Sequence, residues 1–80
     1  MRYIGIDVSK ATFVVAYSSD KGGEIRTFNN TTTGIKQFIG ALPKDSSIHC
    51  VMEATGNYSA MLLYLLNVAG IAVSMENPLK

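Results

Sequence analysis

The spacing of apolar residues changes period near residue 30, and this change constrains the fold more than any other feature. Before that point the apolar residues form short runs typical of strands, whereas after it they recur at helical spacing. The positions at i, i+3, i+4 and i+7 are Ile35, Phe38, Ile39 and Leu42. Threonines at 31–33 offer capping hydroxyls, and Pro43 ends the helix. The chain therefore combines strands and helices.

Three strand-like runs precede this helix, at 3–8, 11–18 and 24–30. Ser9-Lys10 and the segment 19–23, which contains Asp20 and two glycines, are predicted turns. Strands joined by turns this short pair antiparallel, so the first 30 residues predict a meander. The third run is the most polar and suits an exposed edge.

The rest of the chain alternates strand, helix and strand. A buried-type strand is predicted at 46–53, a strongly apolar helix at 58–69 with Gly70 as its C′ residue, and a last strand at 71–75. The order β-β-β-α-β-α-β implies a mixed sheet in which the first, fourth and fifth strands are parallel, joined by right-handed crossovers. Because helix 58–69 is apolar nearly all round, we expect it to be covered on more than one side.

Composition narrows the class of protein. Eighty residues make one small domain, or a piece of a larger one, and the net charge of +1 gives no support to nucleic-acid binding. A hydrophobic fraction of 48% against 16% charged residues predicts apolar surface that contacts a partner. Cys50 has no cysteine to pair with, and no signal peptide or membrane span is recognisable, so the sequence predicts a cytoplasmic protein.

Two carboxylates are predicted to meet at one edge of the sheet. Asp7 lies near the carboxyl end of the first strand, within an apolar run, and Glu53 ends the fourth. If these strands are parallel neighbours, both acids reach the crevice where the strand order reverses, which is where open α/β sheets bind ligands. Two adjacent carboxylates repel unless a cation lies between them, and oxygen ligands suit Mg²⁺ or Mn²⁺. Such a site supports phosphoryl transfer on nucleic acid.

A structural interpretation stays open beside the metal site. In it, Asp7 accepts hydrogen bonds from the turn that follows its strand, and Glu53 is an exposed strand-end residue. Lys10 either contacts a phosphate of nucleic acid or is a solvated turn residue. His49 is interpreted as a packed or edge residue rather than a metal ligand, and Cys50 as a small buried hydrophobe. Three methionines are expected to fill the core: Met52, Met61 and Met75.

Four motifs carry a resemblance to a known family. They are "GIDVSK", "FNNTTTGI", "VMEATGNY" and "GIAVSMENP", and their order and spacing resemble the N-terminal part of the DEDD transposases of the insertion-sequence 110 group. The resemblance runs from about Ile4 to Pro78. It implies a ribonuclease H-like (RuvC-like) fold, truncated before its last elements, so that residues 1–80 form the N-terminal portion of the catalytic domain.

The resemblance also implies a chemistry. Asp7 and Glu53 match the first two acids of the family's Asp-Glu-Asp-Asp quartet, and the last two normally follow the Asn-Pro segment, beyond Lys80. The full-length protein is then a transposase that cuts and joins insertion-element DNA with Mg²⁺ or Mn²⁺, in some members with a guide RNA. Thr55, Gly56 and Tyr58 match the motif and are interpreted as turn and helix packing.

Three functional interpretations follow from these observations. The first is a transposase fragment that is inactive alone because half of its quartet is missing. The second is a non-catalytic interaction or dimerisation module of the same fold, and in either case uncovered apolar surface predicts a homo-oligomer. The third is an ATP-handling relative, because such proteins also open on a strand with Gly-x-Asp, but "VSKAT" lacks their glycine-rich turn.

Overall fold

A computed structural model describes residues 2–17, 23–42, 48–53 and 57–76, with five strands and two helices in the predicted order. The strands are β1 (Arg2–Val8), β2 (Thr12–Tyr17), β3 (Glu24–Asn29), β4 (Ile48–Glu53) and β5 (Ala72–Glu76). The helices are α1 (Thr32–Gly40) and α2 (Ala60–Val68). The predicted α/β class is confirmed, and the strand and helix ends differ from prediction by one or two residues.

The strands form a single mixed sheet in the order β3-β2-β1-β4-β5. β1 lies at its centre, pairing antiparallel with β2 and parallel with β4. β3 pairs antiparallel with β2, and β5 pairs parallel with β4. The meander, the parallel set and the polar edge strand β3 are therefore as the sequence predicts.

Both helices pack on the same face of this sheet. β3, β1, β4 and β5 all run in one direction, so the connections β3-α1-β4 and β4-α2-β5 are both parallel crossovers, and both step the same way across the sheet. Crossovers of one hand that step the same way place their helices on one face. The opposite face carries no helix within the described residues, and we call it the open face.

The core lies between the sheet and the two helices. Every second residue of β1 points into it, namely Ile4, Ile6 and Val8, while Tyr3, Gly5 and Asp7 alternate onto the open face. Three phenylalanines from β2, β3 and α1 form its aromatic centre, with ring centroids 5.4–5.5 Å apart: Phe13, Phe28 and Phe38. The remaining fully buried side chains include Val15, Ile35, Cys50, Met52, Leu62 and Leu66.

A cap and a close backbone contact fix the start of α1. The Thr31 hydroxyl accepts a hydrogen bond of 3.0 Å from the Gly34 amide, so Thr31 is the N-cap among the three threonines. Gly34 lies against the backbone carbonyl of Asn29, where a Cβ atom would collide. A larger residue at this position would force the backbone to shift where the chain turns from β3 into α1.

Helix α2 is covered on one side, not on several as expected. Leu62 and Leu66 are buried, whereas Met61, Tyr64 and Val68 lie 48%, 65% and 67% exposed. The prediction of core methionines is confirmed for Met52 and wrong for two others: Met61 on this helix, and Met75, which is 42% exposed on the edge strand β5. A single layer of two nine-residue helices covers one sheet face and leaves the outer side of α2 in solvent.

Several sequence predictions lie outside the described residues. They concern most of the turn 19–23, the stop at Pro43, the packing of Thr55 and Gly56, and the Asn77-Pro78 segment. Gly70 has φ +77°, as expected for the C′ residue of α2. In the described part of the chain, no helix is long and apolar enough to cross a membrane.

Candidate functional site

Asp7 and Glu53 are register partners on neighbouring parallel strands. They form the last pair of the β1–β4 ladder, and both side chains are exposed on the open face. Neighbouring strands lie about 4.8 Å apart, so the ladder holds two carboxylates side by side at the carboxyl edge of the sheet. This is the meeting predicted from the sequence. Asp7 belongs to an apolar run, but it alternates away from the core and is not a buried acid.

A shallow groove of about 360 Å³ runs along the open face beside these acids. Its floor consists mainly of small side chains from the central strands: Gly5, Val14, Ala16 and Val51. Asp7 and Glu53 lie along the groove with Glu76. A groove with a low apolar floor and acids from three strands admits a ligand close to the backbone while presenting negative charge.

The third acid, Glu76, is a residue that sequence reasoning missed. It is the register partner of Glu53 on β5, which makes a row of three carboxylates across three parallel strands. The signal was available, because Met-Glu ends both β4 and β5. Like charges aligned in this way favour the binding of a cation beside them.

The carboxylates at this edge of the sheet provide part of the ligand set that a divalent metal ion needs. Carboxylate oxygens are the ligands that Mg²⁺ and Mn²⁺ prefer, and Mg²⁺ keeps several waters when one or two carboxylates hold it. Within residues 2–17, 23–42, 48–53 and 57–76, no group of three His, Cys, Asp or Glu side chains is close enough to hold an ion. Asp7 and Glu53 thus fit as two ligands of a larger set.

Lys10 lies exposed in the turn between β1 and β2. The Ser9 amide donates to the Thr12 carbonyl at 2.8 Å, and the Ser9 hydroxyl donates to the same oxygen at 2.9 Å, so the turn is closed by two bonds. The side chain of Lys10 therefore projects from a fixed turn three residues beyond Asp7.

His49 and Cys50 lie on opposite faces of β4. His49 Nε2 is 2.5 Å from the Ser74 hydroxyl oxygen, and its ring lies 5.5 Å from that of Tyr3. These contacts agree with a packed histidine. Cys50 is fully buried, and burial raises the pKa of its thiol to about 11, which agrees with a small hydrophobe.

Asn30 is the second residue that sequence reasoning missed. Its side-chain amide donates to the Ser9 carbonyl at 3.0 Å and to the Tyr58 carbonyl at 2.9 Å. Ser9 follows β1 and Tyr58 precedes α2, so Asn30 joins the segments that follow both acids. The motif "FNNTTTGI" includes Asn30, but nothing in its local pattern indicates these distant partners.

A comparison with models of protein families identifies the family of this chain. The model of the IS110-type DEDD transposases, described as a transposase, matches residues 4–80. The chain belongs to this family. The resemblance in the sequence and the RuvC-like fold expected from it are thereby confirmed, and the family is generally metal-dependent. The sheet order and helix order of the transposase domain agree with a ribonuclease H-like arrangement.

Comparisons with curated proteins and with solved structures do not extend this family assignment. No curated protein matches the transposase domain. Among solved structures, it is similar to an Aquifex aeolicus member of the Ppx/GppA family at 17% identity and TM-score 0.43, covering 98% of this chain and 35% of that one. A type II variant of the Aquifex aeolicus Ppx/GppA phosphatase gives 16% identity and TM-score 0.41, covering 98% and 36%. The chain thus spans about a third of the length of these structures, and TM-scores this low do not establish a shared fold.

Proposed function

We propose that this chain supplies the first two metal ligands, Asp7 and Glu53, of a transposase that cuts and joins insertion-element DNA. The observation that carries the proposal is the register pairing of these acids at the end of the β1–β4 ladder, in a chain that belongs to the DEDD family. The strand pair fixes the spacing of the two backbone positions before any ligand binds. Ligands held at fixed backbone positions lose less conformational entropy when they bind a metal ion.

The two carboxylates have a defined part in the reaction. A Mg²⁺ or Mn²⁺ ion, when bound, would polarise a phosphoryl oxygen and lower the pKa of a bound water or hydroxyl group. Asp7 and Glu53 would hold that ion and offset part of its charge, at the edge of the groove. The low floor at Gly5 and Ala16 lets the backbone approach the acids closely.

Lys10 is proposed to contact a DNA phosphate near the acids. The support is its exposure in the fixed turn that follows Asp7. A single lysine–phosphate contact contributes to affinity without sequence preference and adds about one unit to the salt dependence of binding. In the alternative interpretation, Lys10 is a solvated turn residue. A guide RNA as a further partner of the full-length protein stays a prediction of the family resemblance.

The 80 residues by themselves are proposed not to turn over DNA. Two carboxylates form only part of a Mg²⁺ site, and the described residues bring no third ligand close enough. The other two acids of the family quartet would come from additional residues of the full-length protein.

A strand-cleavage assay on transposon-end DNA tests the proposal in the full-length protein. We expect Asp7→Asn and Glu53→Gln each to reduce metal-dependent cleavage by at least about 100-fold, because each removes a ligand charge. Glu24→Gln, which removes an exposed carboxylate on the distant edge strand β3, is the matched control. Lys10→Ala should instead weaken DNA binding and lower its salt dependence. Full cleavage by both acid variants would refute the proposal.

A second candidate function, a dimerisation module, is favoured by exposed apolar surface. Ile25 on the open face is 72% exposed, and Tyr64 and Val68 on α2 are 65% and 67% exposed. Apolar side chains on two separate surfaces favour self-association, so we propose that the chain forms homo-oligomers. Association through α2 would leave the metal site accessible, because α2 packs on the other face of the sheet, whereas Ile25 shares the open face with that site.

A further inference from the structure

The outer edge of β3 is a surface of this chain that the proposed metal site does not use. β3 ends the sheet in the order β3-β2-β1-β4-β5, so within the described residues only β2 pairs with it. Its first four residues, Glu24 to Thr27, are all exposed. An exposed strand edge carries backbone groups that can pair with a strand of another chain.

The ladder between β2 and β3 shows which backbone groups of β3 point outward. The Asn30 amide donates to the Ala11 carbonyl at 2.9 Å, in register with this ladder. Because hydrogen-bonded pairs alternate along an antiparallel ladder, the even-numbered residues of β3 bond to β2. The amides and carbonyls of the odd-numbered residues, Ile25 and Thr27 among them, therefore point away from the sheet.

Helix α1 covers the far end of this edge. The Asn29 carbonyl lies against Gly34 of α1, so close that a Cβ atom on Gly34 would collide with it. A partner strand can therefore bond to the outward groups of residues 23, 25 and 27, whereas α1 occupies the position at Asn29.

The charges of β3 are arranged so that the strand complements itself. Glu24 and Arg26 flank Ile25, which is 72% exposed. The Arg26 guanidinium lies 5.1 Å from the centroid of the Phe28 ring, on the face of the sheet that Glu24 shares. If two copies pair antiparallel with Ile25 opposite Ile25, Glu24 of each copy faces Arg26 of the other. Opposite charges placed directly across an antiparallel pair stabilise it.

The same charges disfavour the neighbouring registers. Centring the pair on Glu24 sets Glu24 against Glu24, and centring it on Arg26 sets Arg26 against Arg26, so like charges meet in both. Centring it on Thr27 pairs Ile25 with Asn29, where α1 lies. The register with Ile25 at the axis avoids all three conflicts.

We propose that two copies of this chain pair edge to edge through β3, antiparallel and with Ile25 at the two-fold axis. The inference rests on the homo-oligomer proposed above and names its surface and register. The other edge strand, β5, contains one acid and no basic residue, so it offers no complementary charge. Pairing through β3 extends the sheet and leaves its open face uncovered, and neither copy supplies a residue to the candidate metal site of the other.

Disulfide trapping in the full-length protein tests the register directly. Under mild oxidation, Ile25→Cys should form a disulfide between two copies, because the Cα atoms of a hydrogen-bonded pair lie about 5.5 Å apart, within reach of a disulfide. Glu24→Cys and Arg26→Cys are the matched controls. Each would have to bridge about 8 Å to its own counterpart, so neither should crosslink alone, but a mixture of the two should crosslink. Peptide mass spectrometry identifies the linked positions.

Charge reversal tests the complementarity. In the Ile25→Cys protein, adding Glu24→Arg should lower the initial crosslinking rate roughly tenfold, because two pairs of like charges then face each other. Adding Arg26→Glu as well should restore the rate, since the exchanged charges are complementary again. The melting temperature of each variant, measured alongside, shows that the compared proteins are folded.

Crosslinking of Ile25→Cys alone among the single variants, with rescue by the double reversal, supports the proposal. Equal crosslinking of all three cysteine variants, or no crosslinking of a folded Ile25→Cys protein, overturns it. If Ile25→Cys does not fold, the mixture of Glu24→Cys and Arg26→Cys decides, because both keep Ile25. If crosslinking fails while Tyr64→Glu dissociates the oligomer in light scattering, the oligomer stands and the pairing through β3 is wrong.

Discussion

At the scale of single residues, side-chain alternation decides which groups of this chain are available for chemistry. Along β1 the core takes Ile4, Ile6 and Val8, so Asp7 falls on the open face although its neighbours in sequence are apolar. On β4 the same alternation exposes Glu53 and buries Cys50. The two carboxylates are therefore accessible to a ligand, whereas the buried thiol is not.

Burial of the Cys50 thiol should make the free energy of unfolding depend on pH. Because burial raises the pKa of Cys50 from 9.0 to about 11, the folded protein keeps a proton that the unfolded chain has lost between those values. The free energy of unfolding should accordingly fall as pH rises from about 9 to about 11. Urea titrations across that range check this.

Cys50→Ala is the control for the pH effect. This substitution should remove most of the decrease in the free energy of unfolding with pH. A smaller decrease due to Tyr17 should stay, because burial also raises the pKa of Tyr17. Cys50 should also resist thiol reagents at pH 8 unless the protein is denatured. Rapid labelling of the folded protein, or an unchanged slope in Cys50→Ala, would contradict the account.

At the scale of elements, the passage from β3 to α1 is the most tightly specified local structure. The Thr31 cap gives the helix its first turn, and Gly34 allows the backbone of Asn29 to approach. The same short passage carries Asn30 to the loops beside the candidate site. The local backbone geometry and the hydrogen bonds of Asn30 thus depend on one segment.

Two glycines of α1 provide a matched test of that segment. Gly34→Ala should lower the free energy of unfolding by about 1–3 kcal/mol, because its Cβ would collide with the Asn29 carbonyl. Gly40→Ala, at an exposed position with no neighbouring atom near the added Cβ, should raise it by up to about 1 kcal/mol. Urea unfolding of both variants measures the difference, and equal effects would show that the close contact is unimportant.

At the scale of the whole molecule, the sheet has one face covered by two helices and one open face. The open face presents Tyr3, Val14 and Ile25, and the outer side of α2 presents Tyr64 and Val68. Apolar side chains are thus exposed on two opposite sides of the sheet. Their exposure agrees with the partner surface expected from the hydrophobic content of the chain.

Self-association should therefore depend on protein concentration. Light scattering is expected to show a dimer or a larger assembly that Ile25→Glu or Tyr64→Glu weakens, and the more sensitive variant identifies the surface. Both residues are exposed, so neither change disturbs the core. A protein that stays monomeric at high concentration would refute the predicted oligomer.

Much of this arrangement was predictable, since apolar periodicity gives the order of strands and helices. The meeting of Asp7 and Glu53 followed because each lies at or near the carboxyl end of a strand and the strands are parallel. The exposure of Met61 and Met75 was not foreseen, because it depends on which faces the helices cover. Asn30 was missed because its bonds join residues 21 and 28 positions away, which no local pattern reveals.

The central claim is that Asp7 and Glu53 hold one metal ion jointly, and a double-mutant cycle of Mn²⁺ affinity in the full-length protein tests it most directly. We expect Asp7→Asn and Glu53→Gln each to weaken binding strongly, and the double variant to bind little worse than either single variant, because both acids serve one site. Losses that simply add, or single variants that bind like the wild type, would contradict the claim.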